Sequence, residues 1–172
     1  MENEMSEQNE ESLNQKHAKT SPQIEDEILG LLDGDLKERA MGFAAYLRTN
    51  HLTPRQWFGP GYWRVPWEND YLCAIVINKD RWRFWFFQGD YSGEFDEGFI
   101  QAVHGHVKPC ISCGGDCPKG KDTTVFGKEF ANTCFQFPVQ FENPDGSTLE
   151  SIQELIEYWK EASPRSDSWH VR

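Results

Sequence analysis

No apolar run in this 172-residue chain reaches the roughly 18 residues that a membrane helix needs. The N-terminus lacks the basic-then-apolar pattern of a secretion signal. A basic excess is also missing: Lys and Arg number 17 against 28 Asp and Glu, a net charge of −11. That balance argues against nucleic acid as a partner, since phosphate binding draws on a basic surface. Neither nucleic acid nor membrane is therefore expected, and the expected compartment is the cytoplasm. The motifs H-E-x-x-H, G-x-S-x-G and G-x-G-x-x-G do not occur. Gly115-x4-Gly120-Lys121 imitates the start of a phosphate-binding loop, but Asp122 stands where a Mg²⁺-binding hydroxyl is needed. The segment after it, Thr123 to Phe126, reads as a strand rather than the helix such a loop feeds.

The charge is unevenly placed. Residues 1–38 hold eleven acids against three bases, so most of the negative charge lies at one end. Residues 1–22 contain almost nothing apolar and are expected to form a disordered acidic tail, because they cannot offset the entropy of ordering. Residues 23–163 are expected to form one domain, followed by a flexible C-terminus over 164–172. The length suits a single core.

Within that domain, Ile24, Ile28, Leu31 and Leu32 begin a helical pattern broken around Gly30 and Gly34. Leu36, Ala40, Phe43, Ala44 and Leu47 then mark one face of a better helix, ending near Thr49–Asn50. Residues 54–67 read as irregular and aromatic, with a turn at Gly59-Pro60-Gly61. Tyr62–Trp67 reads as an edge strand, because Pro66 cannot donate to a ladder. Tyr71–Ile77 is nearly all apolar, as a central strand is. Arg81–Phe87 alternates, with Trp82, Phe84 and Phe86 on one face, and Asn78-Lys79-Asp80 joins the two as a hairpin. A short helix is expected over about Glu94–His104. Phe135, Phe137, Val139 and Phe141 form a strand pushed to an edge by Pro138. A last helix follows, opened by a Ser147/Glu150 capping box and buried through Leu149, Ile152, Leu155, Ile156 and Trp159. This order predicts an α+β fold: an antiparallel sheet packed by two main helices, with a four-cysteine knuckle inserted.

Five cysteines are present, and four of them fall within 25 residues as Cys110-x2-Cys113-x3-Cys117-x16-Cys134. Thiolates two or three residues apart in a glycine-bearing loop can reach one ion, and four of them close a tetrahedral zinc. The loop has little apolar surface, so a metal there would contribute folding free energy. His104 and His106 precede the cluster and are candidate substitute ligands within the segment 104–134. Three other readings stay open: an iron–sulfur cluster, whose ferredoxin run differs in spacing; a redox dithiol at Cys110–Cys113; and reduced thiols in a surface loop. Cys73 reads as a core residue.

The 24 aromatic residues are dense enough for a well-packed core plus a lined pocket. A candidate ligand pocket is drawn from Trp63, Trp67, Arg81, Arg83 and Trp85 on an exposed hairpin face, where stacking and charge could hold a ligand. Together these features favour a non-enzymatic binding module, without deciding the matter. It would carry a structural zinc on the four clustered cysteines and bind a small molecule or a protein on its aromatic sheet face. The alternative is a protein that handles iron or zinc, or cycles its thiols, with the cysteine cluster as the working part.

The stretches CISCGGDCPKG, VFGKEFANTC and ENPDGSTLESIQELIEYWK, between His106 and Trp159, resemble an uncharacterised family of small proteins from anaerobic Gram-positive bacteria. Residues 36–88 fit the same pattern more loosely, so the resemblance covers about two thirds of the chain. It implies no catalytic residues. The element order is also similar to a broader group of small α+β domains that includes a frataxin-like bacterial iron chaperone, a likeness that bears on fold and not on activity.

Overall fold

The structure is a computed structural model describing residues 21–68, 70–87, 91–112 and 119–161. Two helices open it, α1 (Ile24–Leu31) and α2 (Gly34–Thr49). Four strands follow: β1 (Arg55–Gly59), β2 (Tyr62–Trp67), β3 (Asp70–Asn78) and β4 (Arg81–Phe86). Then come α3 (Glu97–His104), a ribbon of β5 (Lys121–Val125) and β6 (Lys128–Thr133), β7 (Val139–Glu142) and α4 (Gly146–Glu161). Five strands form an antiparallel sheet in the order β1-β2-β3-β4-β7, and β5-β6 form a separate ribbon. The architecture is α+β, with the two 16-residue helices α2 and α4 as its main helical cover.

Alternation decides which face is buried. Trp63 and Val65 pair with Ile75 and Cys73; Cys73, Ile75 and Ile77 pair with Phe86, Phe84 and Trp82; Phe84 and Phe86 pair with Phe141 and Val139. All of these side chains are buried in the core. The helices pack on this face: Phe43 of α2 meets Phe84 edge-on at 4.6 Å, and Trp159 of α4 meets Phe86 at 5.1 Å. Such T-shaped pairs add to the area they bury.

Several expectations need correction. Tyr62–Trp67 is not an edge strand, because Arg55–Gly59, read as irregular, forms β1 outside it. Pro66 is tolerated because β1 pairs no further than Arg64, so no partner faces its missing donor. β7 is an edge of the sheet as expected, but it starts at Val139 and leaves Phe135 and Phe137 in the approach to it. The cap of α4 is Asp145 rather than Ser147: its Oδ1 accepts from Thr148 N at 2.9 Å and from the Ser147 hydroxyl at 3.0 Å. Helix α3 begins at Glu97, where Asp96 accepts from Phe99 N at 3.0 Å. Of the expected tail over 1–22, residues 1–20 lie outside the described residues, as does the chain from 162 onward.

Candidate functional site

The face of the sheet turned away from the helices is built by two bulges. Between Gln56 and Gly59 the register of β1 shifts, and the additional residues Trp57 and Phe58 leave the ladder. The two rings stack at 3.9 Å, and Phe58 remains 74 % exposed. A second shift lies where Val65 pairs with Cys73 and Pro66 with Tyr71. It interrupts the side-to-side alternation of β3, so Leu72 joins the core while Tyr71 meets Arg64 and Phe87.

Across this outer face the register sets two rows. Arg64 and Trp85 flank Ala74, and Tyr62 and Arg83 flank Val76. Ala74 and Val76 are small and buried, roofed by the longer side chains beside them. The Arg64 guanidinium lies 3.4 Å from the centre of the Trp57 ring and 4.6 Å from that of Tyr71. The Arg83 guanidinium lies 5.1 Å from the Trp85 ring. Phe137 closes the β4–β7 side, at 5.0 Å from Trp85 and 4.8 Å from Phe87. At the other corner Arg81 faces Glu142 at 3.9 Å, both exposed.

The pocket expected from sequence is therefore split. Arg81, Arg83 and Trp85 share the outer face. Trp63 does not, being fully buried on the helix side with its indole N–H donating to Glu27 at 2.6 Å. Trp67 packs against the core, with the Lys160 ammonium 5.3 Å from its ring. Arg64, Trp57, Tyr62 and Tyr71 take their places. Arg64 was readable: Trp63 and Val65 are the apolar members of β2, so Tyr62 and Arg64 had to point the other way. On the outer face, rings and guanidinium groups pack side by side around the buried Ala74 and Val76.

The cysteine insert is fastened to the sheet edge by the segment after α3. Gln140 N donates to His106 O at 2.9 Å and Lys108 N to Pro138 O at 2.8 Å, so this segment first pairs alongside β7. It then crosses to β6: Cys134 N donates to Lys108 O at 3.0 Å and Cys110 N to Asn132 O at 2.7 Å. Pro109 sits opposite Thr133, so Cys110 and Cys134 are diagonal neighbours on one side of the pairing. The chain returns at Gly120, where a Cβ would lie 2.6 Å from Cys110 Cβ and would also strike Asn132 Oδ1. A glycine is needed there for the loop to close at its base. Inside the ribbon, Thr133 Oγ1 donates to Lys121 O at 2.7 Å and so accepts from Thr123 Oγ1 at 2.8 Å. Cys113 and Cys117 lie outside the described residues.

No family model matches the chain, and no curated protein or solved structure matches it.

The remaining candidates have other commitments. His104 Nε2–H donates to Val125 O at 2.7 Å and its ring lies 5.3 Å from Phe130. His106 stacks on Phe141 at 4.2 Å, and burial followed by the nearby Lys108 charge holds its pKa below the usual 6.5. Among the described residues no three His, Cys, Asp or Glu side chains converge as a metal-holding group. Cys110 and Cys134 are free thiols, and Cys73 lies within the core. A groove of about 610 Å³ runs between Tyr46, Phe95 and α4, lined by Glu94, Glu150, Glu154, Glu157 and Glu161. There Tyr46 donates to Glu157 at 2.7 Å, and burial plus that bond raises the phenol well above its usual range. Among the described residues no helix is long and apolar enough to cross a membrane.

Proposed function

We propose that the protein is a non-enzymatic, cytoplasmic binding module. A zinc ion on Cys110, Cys113, Cys117 and Cys134 closes the β5–β6 insert, and the outer sheet face docks a protein partner. The observation that carries this reading is the composition and relief of that face. Trp57, Phe58, Tyr62, Arg64, Tyr71, Arg83 and Trp85 are gathered there, with Phe58 largely exposed. Tryptophan, tyrosine and arginine dominate the energetics of protein interfaces. A small molecule is better served by a hollow, and here the centre of the face is roofed by its own side chains.

The zinc assignment is supported by tether lengths. Cys113 follows Cys110 by three residues and Cys117 precedes Gly120 by three, and each such tether spans at most about 10 Å. Both tethers start at the same pinched base, beside the strand that leads to Cys134. His104 and His106 are not needed as ligands in this arrangement, and an iron–sulfur cluster is the second occupant to test.

A photo-crosslinking residue placed at position 58 should capture a discrete protein in cells, and Trp57→Ala should abolish that capture. The same probe at Leu29, exposed on the helical side, should not capture it. Equal capture from both positions refutes the docking face. Native mass spectrometry should find one zinc per chain, and a chelator that strips it should lower the melting temperature. Metal that exchanges with no change in melting would instead favour a metal-handling or redox role.

A further inference from the structure

Three of the six buried side-chain polar atoms that lack a hydrogen-bond partner among the described residues lie on the outer sheet face: Arg64 Nε, Arg83 Nε and Trp85 Nε1. All three are N–H donors. None has an acceptor, and neither arginine has an ion-pair partner among the described residues, whereas nearby Arg81 has Glu142. A buried donor without an acceptor is costly, so this cluster calls for a ligand rich in acceptors. The charge of the two arginines calls for an anionic one.

From this we infer that the outer face recognises an acidic segment of a partner protein, its carboxylates bridging Arg64 and Arg83 over Ala74 and Val76. This rests on the docking reading above and adds the chemistry of the partner. The arginines are prepared for the task. Ring contacts restrain each guanidinium, that of Arg64 3.4 Å from the Trp57 ring and that of Arg83 5.1 Å from the Trp85 ring, which lowers the entropy lost on binding. Across two strand spacings and an offset of two residues, their Cα atoms are about 12 Å apart, a span that suits separate acidic side chains on one segment.

A single-stranded nucleic acid would also offer acceptors, but the observations favour the acidic segment. Base stacking needs free ring faces. Here Trp57 is covered by Arg64 on one side and stacked with Phe58, and Trp85 lies beside Arg83, which leaves Phe58 as the one large apolar ring well exposed on this face among the described residues. A chain of net charge −11 also repels a continuous polyanion more than it repels a few carboxylates set among apolar residues.

The test is a ¹⁵N NMR titration of the full chain with an octapeptide alternating Glu and Tyr, run beside Gln–Tyr and Lys–Tyr versions and a uridine decamer. The Glu–Tyr peptide should shift the Trp85 indole N–H and the Arg64 and Arg83 Nε–H signals saturably, and the effect should weaken at about 300 mM salt relative to about 50 mM as screening grows. Arg64→Gln and Arg83→Gln should each weaken binding about tenfold or more, the loss of a hydrogen-bonded charge pair. The salt series on the unmodified chain keeps the test valid should either variant unfold. If the Gln–Tyr peptide moves the same signals equally, the acidic specificity is wrong and the docking face survives. If the Glu–Tyr peptide moves only signals on the helical side, both fail. Tighter binding of the uridine decamer at Trp85 assigns the face to nucleic acid and overturns the inference. So does a requirement that residues 1–22 be deleted before the peptide binds, since the chain's own acids would then be the occupant.

Discussion

Replacing Glu27 should be among the most damaging single changes in the protein. Its Oε2 accepts from the Trp63 indole at 2.6 Å and from Gly61 N at 2.8 Å, and its Oε1 accepts from Gln56 at 3.3 Å. Trp63 is fully buried and Gly61 is buried too, so neither donor can turn to water. Leaving each of two such donors without an acceptor costs about 1–3 kcal/mol. Glu27→Ala should therefore destabilise by about 3–5 kcal/mol, whereas Glu27→Gln, which keeps one carbonyl oxygen, should cost about 1–2 kcal/mol. The effect should also reach the outer sheet face. The β1–β2 turn is clamped between Glu27 and β3, with Ile77 N donating to Gly61 O at 2.8 Å. A loosened turn frees β1 and with it Trp57, which lies over Arg64. Urea unfolding followed by tryptophan fluorescence measures the first effect, and the Arg64 Nε–H shift reports the second. A loss under about 1 kcal/mol for Glu27→Ala, with Trp63→Phe equally mild, would refute this account of the clamp.

Two other outcomes follow from the cysteine insert and its anchor. His106 is half-buried against Phe141 with its pKa held below 6.5, so the unfolded chain binds its proton more readily. Its share of stability should be intact above about pH 6.5 and lost as pH falls through the folded value; a pH series of melting temperatures should show that slope, and His106→Gln should flatten it. Gly120→Ala should force Cys110 and Asn132 apart at the base of the loop, weakening zinc retention at least tenfold in a chelator competition while the far-ultraviolet circular dichroism of the sheet and helices is retained.

What the sequence makes legible here follows burial. Trp82, Phe84 and Phe86 alternate because one side of β4 meets helices, and β3 is apolar and buried from Leu72 to Ile77 because it lies in the middle of the sheet. β1 was hidden for the same reason: Arg55, Gln56 and Phe58 are exposed, so no periodic signal marks it. The outer face was harder still, because which strands share a row depends on register. Trp63 looks like a natural companion of Trp85, but pairing places it opposite Ile75 and turns Arg64 toward Ala74 and Trp85. The bulges at Trp57–Phe58 and at Leu72 leave only an unremarkable run of aromatics in the sequence. At α4, Ser147 and Glu150 have the spacing of a capping box, but the helix starts earlier, at Gly146, with Asp145 accepting from Thr148 N and from the Ser147 hydroxyl itself.

The two halves of the proposed function share a structural member. The segment His106–Cys110 pairs with β7 at one end and with β6 at the other, so it ties the cysteine insert to the edge of the five-stranded sheet. Phe137, which roofs the outer face beside Trp85 and Phe87, lies between Cys134 and β7. A metal at the insert would thus fix both ends of the short connection that carries Phe137. The connection is also held by the pairing at Lys108, by Gln140 Nε2 donating to Phe137 O at 2.9 Å and by the packing of Phe137. In this reading the zinc is remote from the bound partner and still sets the shape of the surface that meets it, as a structural ion does when it supplies rigidity that a short, polar loop cannot supply from its own apolar contacts.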